Sequence, residues 1–355
     1  MNTPPPTCDR KSVRAEPAIR APHRPRRRWA PLLVATLTLS PAVLLGAFSA
    51  EAQQVPIRLG TLVPGPPGCN GPLTPSEQAL RRGLEDAGYA IGRSISIERR
   101  CFQRPEQASS LVTDLLSQNV DLFVVWSGIA AVAVKRNGTA KPVVFIDAAD
   151  PVGFGLITSF ARPGGNATGI ASISAEIAAK RLELLHEAVP KATRVGILMN
   201  PKGPAAAQID GAKAAAHKLG LAVELLPASS SAELRAVFAD VQHRRLDGVL
   251  VVADTFFFVQ RQLIGELVQG AQLPAIYSHT RFVESGGLMA YAADLRDESY
   301  RAAAYVDKIV NGTKPGDLPV EQPTKFDLVI NLKTAKTLGL TLPESLLLQA
   351  DRVIH

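Results

Sequence analysis

The sequence predicts an α/β fold of two doubly wound parallel-sheet lobes joined by a multi-strand hinge. From Val55 onward, short apolar runs alternate with amphipathic helical patterns, the signature of repeated β-α-β units. The cycle runs once to about residue 171 and then restarts. Runs such as Asp121-Leu-Phe-Val-Val-Trp126 are continuously apolar rather than alternating, as parallel strands covered on both faces must be. With 355 residues, 46% hydrophobic and 20% charged, the chain is long enough for two cores.

In the first lobe, residues 57–63 read as a strand. The helix over 76–87 places Ala79, Leu80, Leu84 and Ala87 on one face and stops at Gly88. Strands over 95–97, 121–126 and 143–146 alternate with helices over 105–118 and 130–136. In the second lobe a helix over 175–189 leads to strands at 194–199, 222–226, 248–252 and 274–277. An alanine-rich helix ending at Gly220 and helices over 232–243 and 257–270 separate them. Residues 288–292 read as a strand returning to the first lobe, followed by a helix over 299–310. Pro315, Pro319 and Pro323 mark an extended segment before a strand at 326–330 and a short helix at 333–338. The expected boundaries are 55–171 plus 292–321 for one lobe, 172–291 plus 322–342 for the other, and a C-terminal tail over 343–355. Two lobes with more than one crossing is the layout of a hinged ligand trap, with the ligand beyond the carboxyl ends of the strands.

Residues 1–52 differ in kind. Arg24, Arg26, Arg27 and Arg28 precede an apolar run from Trp29 to Phe48 that ends in Ala50-Glu-Ala52, the pattern of a secretory signal cleaved near Ala52. This predicts an exported, periplasmic protein. Eight of the 39 basic and three of the 32 acidic residues fall in this segment, leaving 31 against 29, a net of +2. That is no basis for binding nucleic acid. Of three cysteines, Cys8 leaves with the leader. Cys69 and Cys101 remain, and an even pair in an exported protein favours a disulfide over two thiols.

No histidine pair has metal-ligand spacing, and neither a G-x-S-x-G elbow nor a phosphate-binding P-loop occurs. The expectation is a binding protein without catalytic residues, cofactor or metal. Candidate ligand contacts are polar groups at strand ends. Asp147 and Asp150 follow the strand at 143–146 and open a long glycine-punctuated segment. Either could hold an ammonium group, although Asp150 before Pro151 is equally a turn opener. Asn200 and Asp254 end second-lobe strands, with turn and helix-cap roles as the alternatives. Tyr277 could form an aromatic wall or belong to the core, and Phe256-Phe-Phe258 could roof a pocket or anchor a helix.

Five separated blocks resemble one family. They are Asp150-Pro-Val-Gly with Ala161-Arg-Pro-Gly-Gly-Asn-Ala-Thr-Gly169, Lys180-Arg-Leu-Glu-Leu-Leu185, Phe282-Val-Glu-Ser-Gly-Gly-Leu-Met289, Pro319-Val-Glu-Gln-Pro-Thr-Lys-Phe326, and Ile330-Asn-Leu-Lys-Thr-Ala-Lys336 before Gly339-Leu. The resemblance, from about residue 57 to the C-terminus, is to ABC transporter substrate-binding proteins of the tryptophan/tyrosine-binding type. It implies a type I periplasmic-binding fold with three interlobe crossings. The implied partners are a small-molecule ligand and the permease and ATPase of an inner-membrane importer, the receptor itself being a monomer. A sensory receptor presenting its closed form to a membrane kinase would use the same trap. The resemblance also implies that a ligand carboxylate sits on loops after first-lobe strands. Here those are Ser127, Gly128 and Ile129, whose amides open a helix, and Pro64 and Gly65 after the first strand. Two features depart from the family pattern: Ile129 where many relatives carry a hydroxyl residue, and a rigid proline-rich first loop containing Cys69.

Overall fold

A computed structural model describes residues 56–355, apart from positions 66, 173, 204 and 242. The expected export signal with its cleavage near Ala52, and Cys8, lie outside the described residues.

The first sheet is formed by β1 (Ile57–Pro64), β2 (Ile95–Phe102), β3 (Leu122–Trp126), β4 (Val143–Ala148) and β5 (Ala167–Ala171). All pairings are parallel, in the order β2-β1-β3-β4-β5. The intervening helices are α1 (Pro75–Asp86), α2 (Gln107–Ser117) and α3 (Gly128–Arg136). Every residue of β3 is buried, and its side chains divide by parity between two cores. Phe123 and Val125 pack with Val112, Leu115 and Val134 beneath α2 and α3, while Leu122, Val124 and Trp126 face Leu80 and Leu84 of α1. That two-sided burial explains the unbroken apolar run. α1 starts where the sequence demands: Thr74 accepts from the Glu77 amide, the Glu77 carboxylate accepts from the Thr74 amide, and Pro75 occupies the first turn.

The second lobe contains α4 (Ser174–Ala188), β6 (Arg194–Met199), α5 (Ala206–Leu219), β7 (Ala222–Pro227), α6 (Ser231–Asp240), β8 (Gly248–Val251), α7 (Thr255–Val259), α8 (Arg261–Gly270), β9 (Ala275–Tyr277), α9 (Thr280–Glu284) and β10 (Met289–Ala293). The chain then crosses to the first lobe as α10 (Leu295–Val310). It returns as β11 (Phe326–Asn331), α11 (Leu332–Thr337), α12 (Glu344–Leu348) and β12 (Arg352–Ile354). The seven-stranded order is β12-β11-β10-β9-β8-β6-β7, with β10–β11 the antiparallel pair. Two expectations are corrected here. The strand read as returning to the first lobe is β10, which pairs in parallel with β9 in the second sheet, so that α10 makes the crossing. The segment set apart as a tail contains α12 and β12, and β12 extends the second sheet beside β11.

α10 lies against α1. An added Cβ on Gly83 would sit 2.6 Å from the Tyr300 carbonyl oxygen, so only glycine permits this approach. Three crossings link the lobes, and two of them pair with one another. The Ala171 amide donates to Glu321 O at 2.9 Å and the Glu321 amide to Gly169 O at 3.0 Å, tying the first crossing to the third. Gly169 has φ +144, and a Cβ there would overlap the Phe145 carbonyl oxygen at 2.0 Å.

Cys69, in a short turn after β1, is disulfide-bonded to Cys101 at the end of β2, with Cα atoms 5.3 Å apart. The parallel β1–β2 pairing sets Val63 opposite Cys101 and so brings the first loop to this sulfur. The sequence separation of 32 gives a chain-entropy contribution of about 3–4 kcal/mol. The Cys69→Ser/Cys101→Ser double variant should accordingly lose about that much stability in urea titrations. An unchanged midpoint and slope would remove the bridge from the fold's energetics.

Candidate functional site

The carboxyl ends of both sheets face one cavity. From the first lobe come Pro64 at the end of β1, Trp126 to Ile129 at the β3–α3 junction, Asp147 near the end of β4, and Phe154. From the second come Ala253, Asp254 and Thr255 after β8, Phe258 on α7, Ser278 and His279 after β9, and Arg281 on α9. The cavity's volume is about 120 Å³. At about 30 Å³ per water this is room for about four waters, the scale of a small amino acid.

The first-lobe wall holds backbone strain where ligand contacts would be made. Ser127 has φ 122 and Asp147 φ 54, uncommon for side-chain-bearing residues and costing of order 1–3 kcal/mol each. At Ser127 this geometry starts α3: its hydroxyl accepts from the Ala130 amide at 3.4 Å. The amides of Gly128 and Ile129 carry no i−4 partner within α3 and lie on the cavity wall, a place suited to an anion. Trp126 is fixed behind them by donating its indole N–H to Ser299 Oγ of α10 at 3.0 Å.

Asp147 supplies the opposite charge. Burial pushes its carboxyl up to about 6, against the pull of the Ser172 hydroxyl and the Arg181 guanidinium. Arg181 comes from α4 of the second lobe and is itself buried. It donates to the Tyr291 and Ser278 carbonyls at 2.7 and 3.4 Å, and burial lowers it to about 10. A smaller recess behind the main cavity is lined by both Asp147 and Arg181. Asp147 is therefore a carboxylate at neutral pH in a poorly solvated place, suited to a cation that replaces water.

On the second lobe, Asp254 caps α7, accepting from Phe256 and Phe257 amides at 2.8 and 3.3 Å, and still borders the cavity. Asn200 reaches it through Nδ2 at 3.2 Å, and Asn200 Oδ1 accepts from the Lys202 amide. Burial raises the Asp254 carboxyl despite these donors. The three phenylalanines divide their roles. Phe257 is fully buried as an anchor, Phe256 packs against the core, and Phe258 faces the cavity with the His279 ring 4.6 Å away.

Of the residues singled out from sequence, Pro64, Ser127, Gly128, Ile129, Asp147 and Asp254 line the cavity, and four do not. Gly65 continues the β1–β2 ladder, its amide donating to Phe102 O at 2.9 Å. Asp150 turns away at φ 45 and accepts from the Gly153 amide at 2.8 Å, which is the turn-opening role. Asn200 acts through Asp254. Tyr277 is 1% exposed and stacks on Phe282 with centroids 4.7 Å apart, a core position. Sequence reasoning missed Trp126, Phe154, Ser278, His279 and Arg281. The signal was available for Ser278 and His279, which immediately follow β9 just as Asp254 follows β8.

The profile of the family described as ABC transporter substrate binding protein matches residues 73–354. The chain belongs to this family. It is 26% identical over 271 residues to a tyrosine-binding protein of Clostridioides difficile, covering 76% of this chain and 77% of that one. Among solved structures, it is similar to an ABC domain in complex with L-Trp from Streptococcus pneumonia. That match has 26% identity and a TM-score of 0.76, and covers 84% of this chain and all of that one. A conserved domain protein from Vibrio cholerae matches at 25% identity and TM-score 0.76, over 84% of this chain and 99% of that one. The two-lobed α/β architecture is that of the periplasmic-binding type I fold, and the family is one of binding proteins, not enzymes.

Proposed function

We propose that this chain is the exported receptor of an ABC importer and that its cleft closes on an α-amino acid. The carrying observation is the pairing within one cavity of the α3 amino terminus with the Asp147 carboxylate. In this reading the ligand carboxylate rests on the Gly128 and Ile129 amides and its ammonium group on Asp147. Its side chain lies between Trp126 and Phe154 on one side and Phe258 on the other. Ile129 removes a hydroxyl donor that many relatives have, leaving backbone amides to do this work. Residues from both lobes complete the pocket, so ligand binding favours the closed form. The closed receptor then presents itself to a permease and its ATPase at the inner membrane, after export and cleavage near Ala52. The tyrosine-binding and L-Trp-bound relatives support the ligand class.

A ligand bound by the folded state alone stabilises it by about 2.7 kcal/mol at a hundredfold excess over Kd. A thermal-shift screen of α-amino acids should therefore give a concentration-dependent rise in Tm, with the matching amine and the matching carboxylic acid both weaker. No shift from any amino acid would sink this reading.

A further inference from the structure

The proposed amino-acid site leaves one set of charges unused. Arg261, the first residue of α8, and Arg281, on α9, flank the Phe258 ring with their guanidinium carbons 5.3 and 6.0 Å from its centroid. Arg281 borders both the inner cavity and an adjoining groove of about 660 Å³, in which Arg261 also stands. The groove holds two further arginines, and both are committed. Arg296 pairs with Asp294 at 2.9 Å and with Asp327 at 3.4 Å, and Arg352 pairs with Glu284 at 2.9 Å. Arg261 spends one N–H on the Phe258 carbonyl at 3.2 Å. Among the described residues, neither Arg261 nor Arg281 forms an ion pair with a carboxylate.

Two half-buried guanidiniums held near one another, with Glu284 as the opposing charge on Arg261 and that carboxylate already paired with Arg352, are an unfavourable arrangement for the chain alone. Burial first and then Arg281 lower the Arg261 pKa. The same field acts on His279, held neutral at about 3 by burial and then by Arg281, Arg261 and Arg181. Its Nδ1 accepts from the Arg281 amide, so the imidazole adds no charge. The excess is purely guanidinium, which suits planar, bidentate recognition of a carboxylate or phosphonate.

We propose that the natural ligand is an α-amino acid whose side chain ends in an acidic group, received at the cavity mouth by Arg281 and Arg261. This rests on the amino-acid reading of the cleft and narrows it. One end of the ligand engages the first lobe through its zwitterion and the other engages the second lobe through its anion. Closure and charge recognition are then the same event. The Phe258 ring, within cation–π reach of both guanidiniums, offers them partial compensation when the site is empty.

The test is isothermal titration with three probes: L-phenylalanine, 4-carboxy-L-phenylalanine and its neutral isostere 4-carbamoyl-L-phenylalanine. The carboxy compound should bind at least tenfold tighter than the carbamoyl compound at low salt, with the gap narrowing as salt is added. Arg281→Gln should erase that gap. Arg261→Gln, on the outer groove, should shrink it and carries the test if the first variant fails to fold. Equal binding of carboxy and carbamoyl probes by the wild type, or a gap that survives both substitutions, overturns the inference and leaves the amino-acid reading standing. If none of the three probes binds, and the wider amino-acid screen is also silent, the reading of the cleft falls and the acidic subsite with it.

Discussion

Replacing Asp147 by asparagine is expected to weaken binding of an α-amino acid by about 2–4 kcal/mol, on the order of 30- to 1,000-fold in Kd. The reason is position. Asp147 stands at the end of a buried strand with a backbone that few residues tolerate, and asparagine is among those few. The substitution therefore changes charge while keeping shape. A ligand ammonium seated there loses its counter-charge where water is too scarce to replace it. The pH profile separates this role from general damage. In the ligand-free protein the Asp147 carboxyl titrates at about 6, so below that pH it must lose a proton before it can hold an ammonium group. Affinity should fall by up to about tenfold for each pH unit below 6 in the wild type. Asp147→Asn should show no such slope between pH 4.5 and 7. Titration calorimetry across that range decides the matter, and a wild-type affinity that does not change with pH would remove Asp147 from the ammonium site.

The sequence made the layers legible because burial on both sheet faces leaves a long apolar trace. Phe123 and Val125 enter one core, Leu122 and Val124 the other, and no polar residue interrupts them. The same two-sided burial hid part of the site. In a sheet covered on both faces, strand parity does not say which side chain reaches the cleft, so the sequence leaves Tyr277 open between wall and core, and it belongs to the core. What does reach the cleft are the residues just past each strand. That rule finds Ser127 and Asp254, and applied equally it would have found Ser278 and His279. β10 was assigned to the wrong lobe because its short apolar run suits either sheet. Its partner was decided by α9, a five-residue helix too short to carry the chain away from β9. Arg261 and Arg281 had no local signature at all. Their meaning comes from which of the groove's carboxylates are already paired, and that is a property of the folded chain.

The second large effect concerns a buried acid remote from any pairing. Glu298→Gln is expected to stabilise the ligand-free protein at pH 7–8 by about 1–3 kcal/mol, several degrees in Tm. Glu298, in the first turn of α10, is 1% exposed, and neither carboxyl oxygen has a hydrogen-bond partner among the described residues. Arg301 is the favourable charge acting on it, but Arg301 is engaged by Asp297 and Glu321. A helix amino terminus gives an acid about 1 kcal/mol, less than the cost of burying an unpaired carboxylate, so burial wins. The Glu298 carboxyl is accordingly held well above its ordinary range by burial first and by the Asp147 charge second. A raised carboxyl binds its proton more tightly folded than unfolded. Its contribution is fully present below the ordinary value of 4.5 and is lost as pH rises through the folded value. Asp147 acts in the same sense between 3.8 and about 6. Glu298→Gln should thus gain stability over wild type as pH rises from 5 to 8 while matching it near pH 4.5; the wild-type Tm itself also carries His279, whose lowered value of about 3 adds stability as pH rises toward 6.5. A Tm difference between Glu298→Gln and wild type that fails to grow over this interval would contradict the Glu298 assignment. The wider consequence is that both buried acids cost the ligand-free protein most at neutral pH, where Asp147 is ionised and ready to take a ligand cation. Binding that cation offsets part of the cost that the two buried acids impose, so ligand-induced stabilisation should be larger at pH 7.5 than at pH 5.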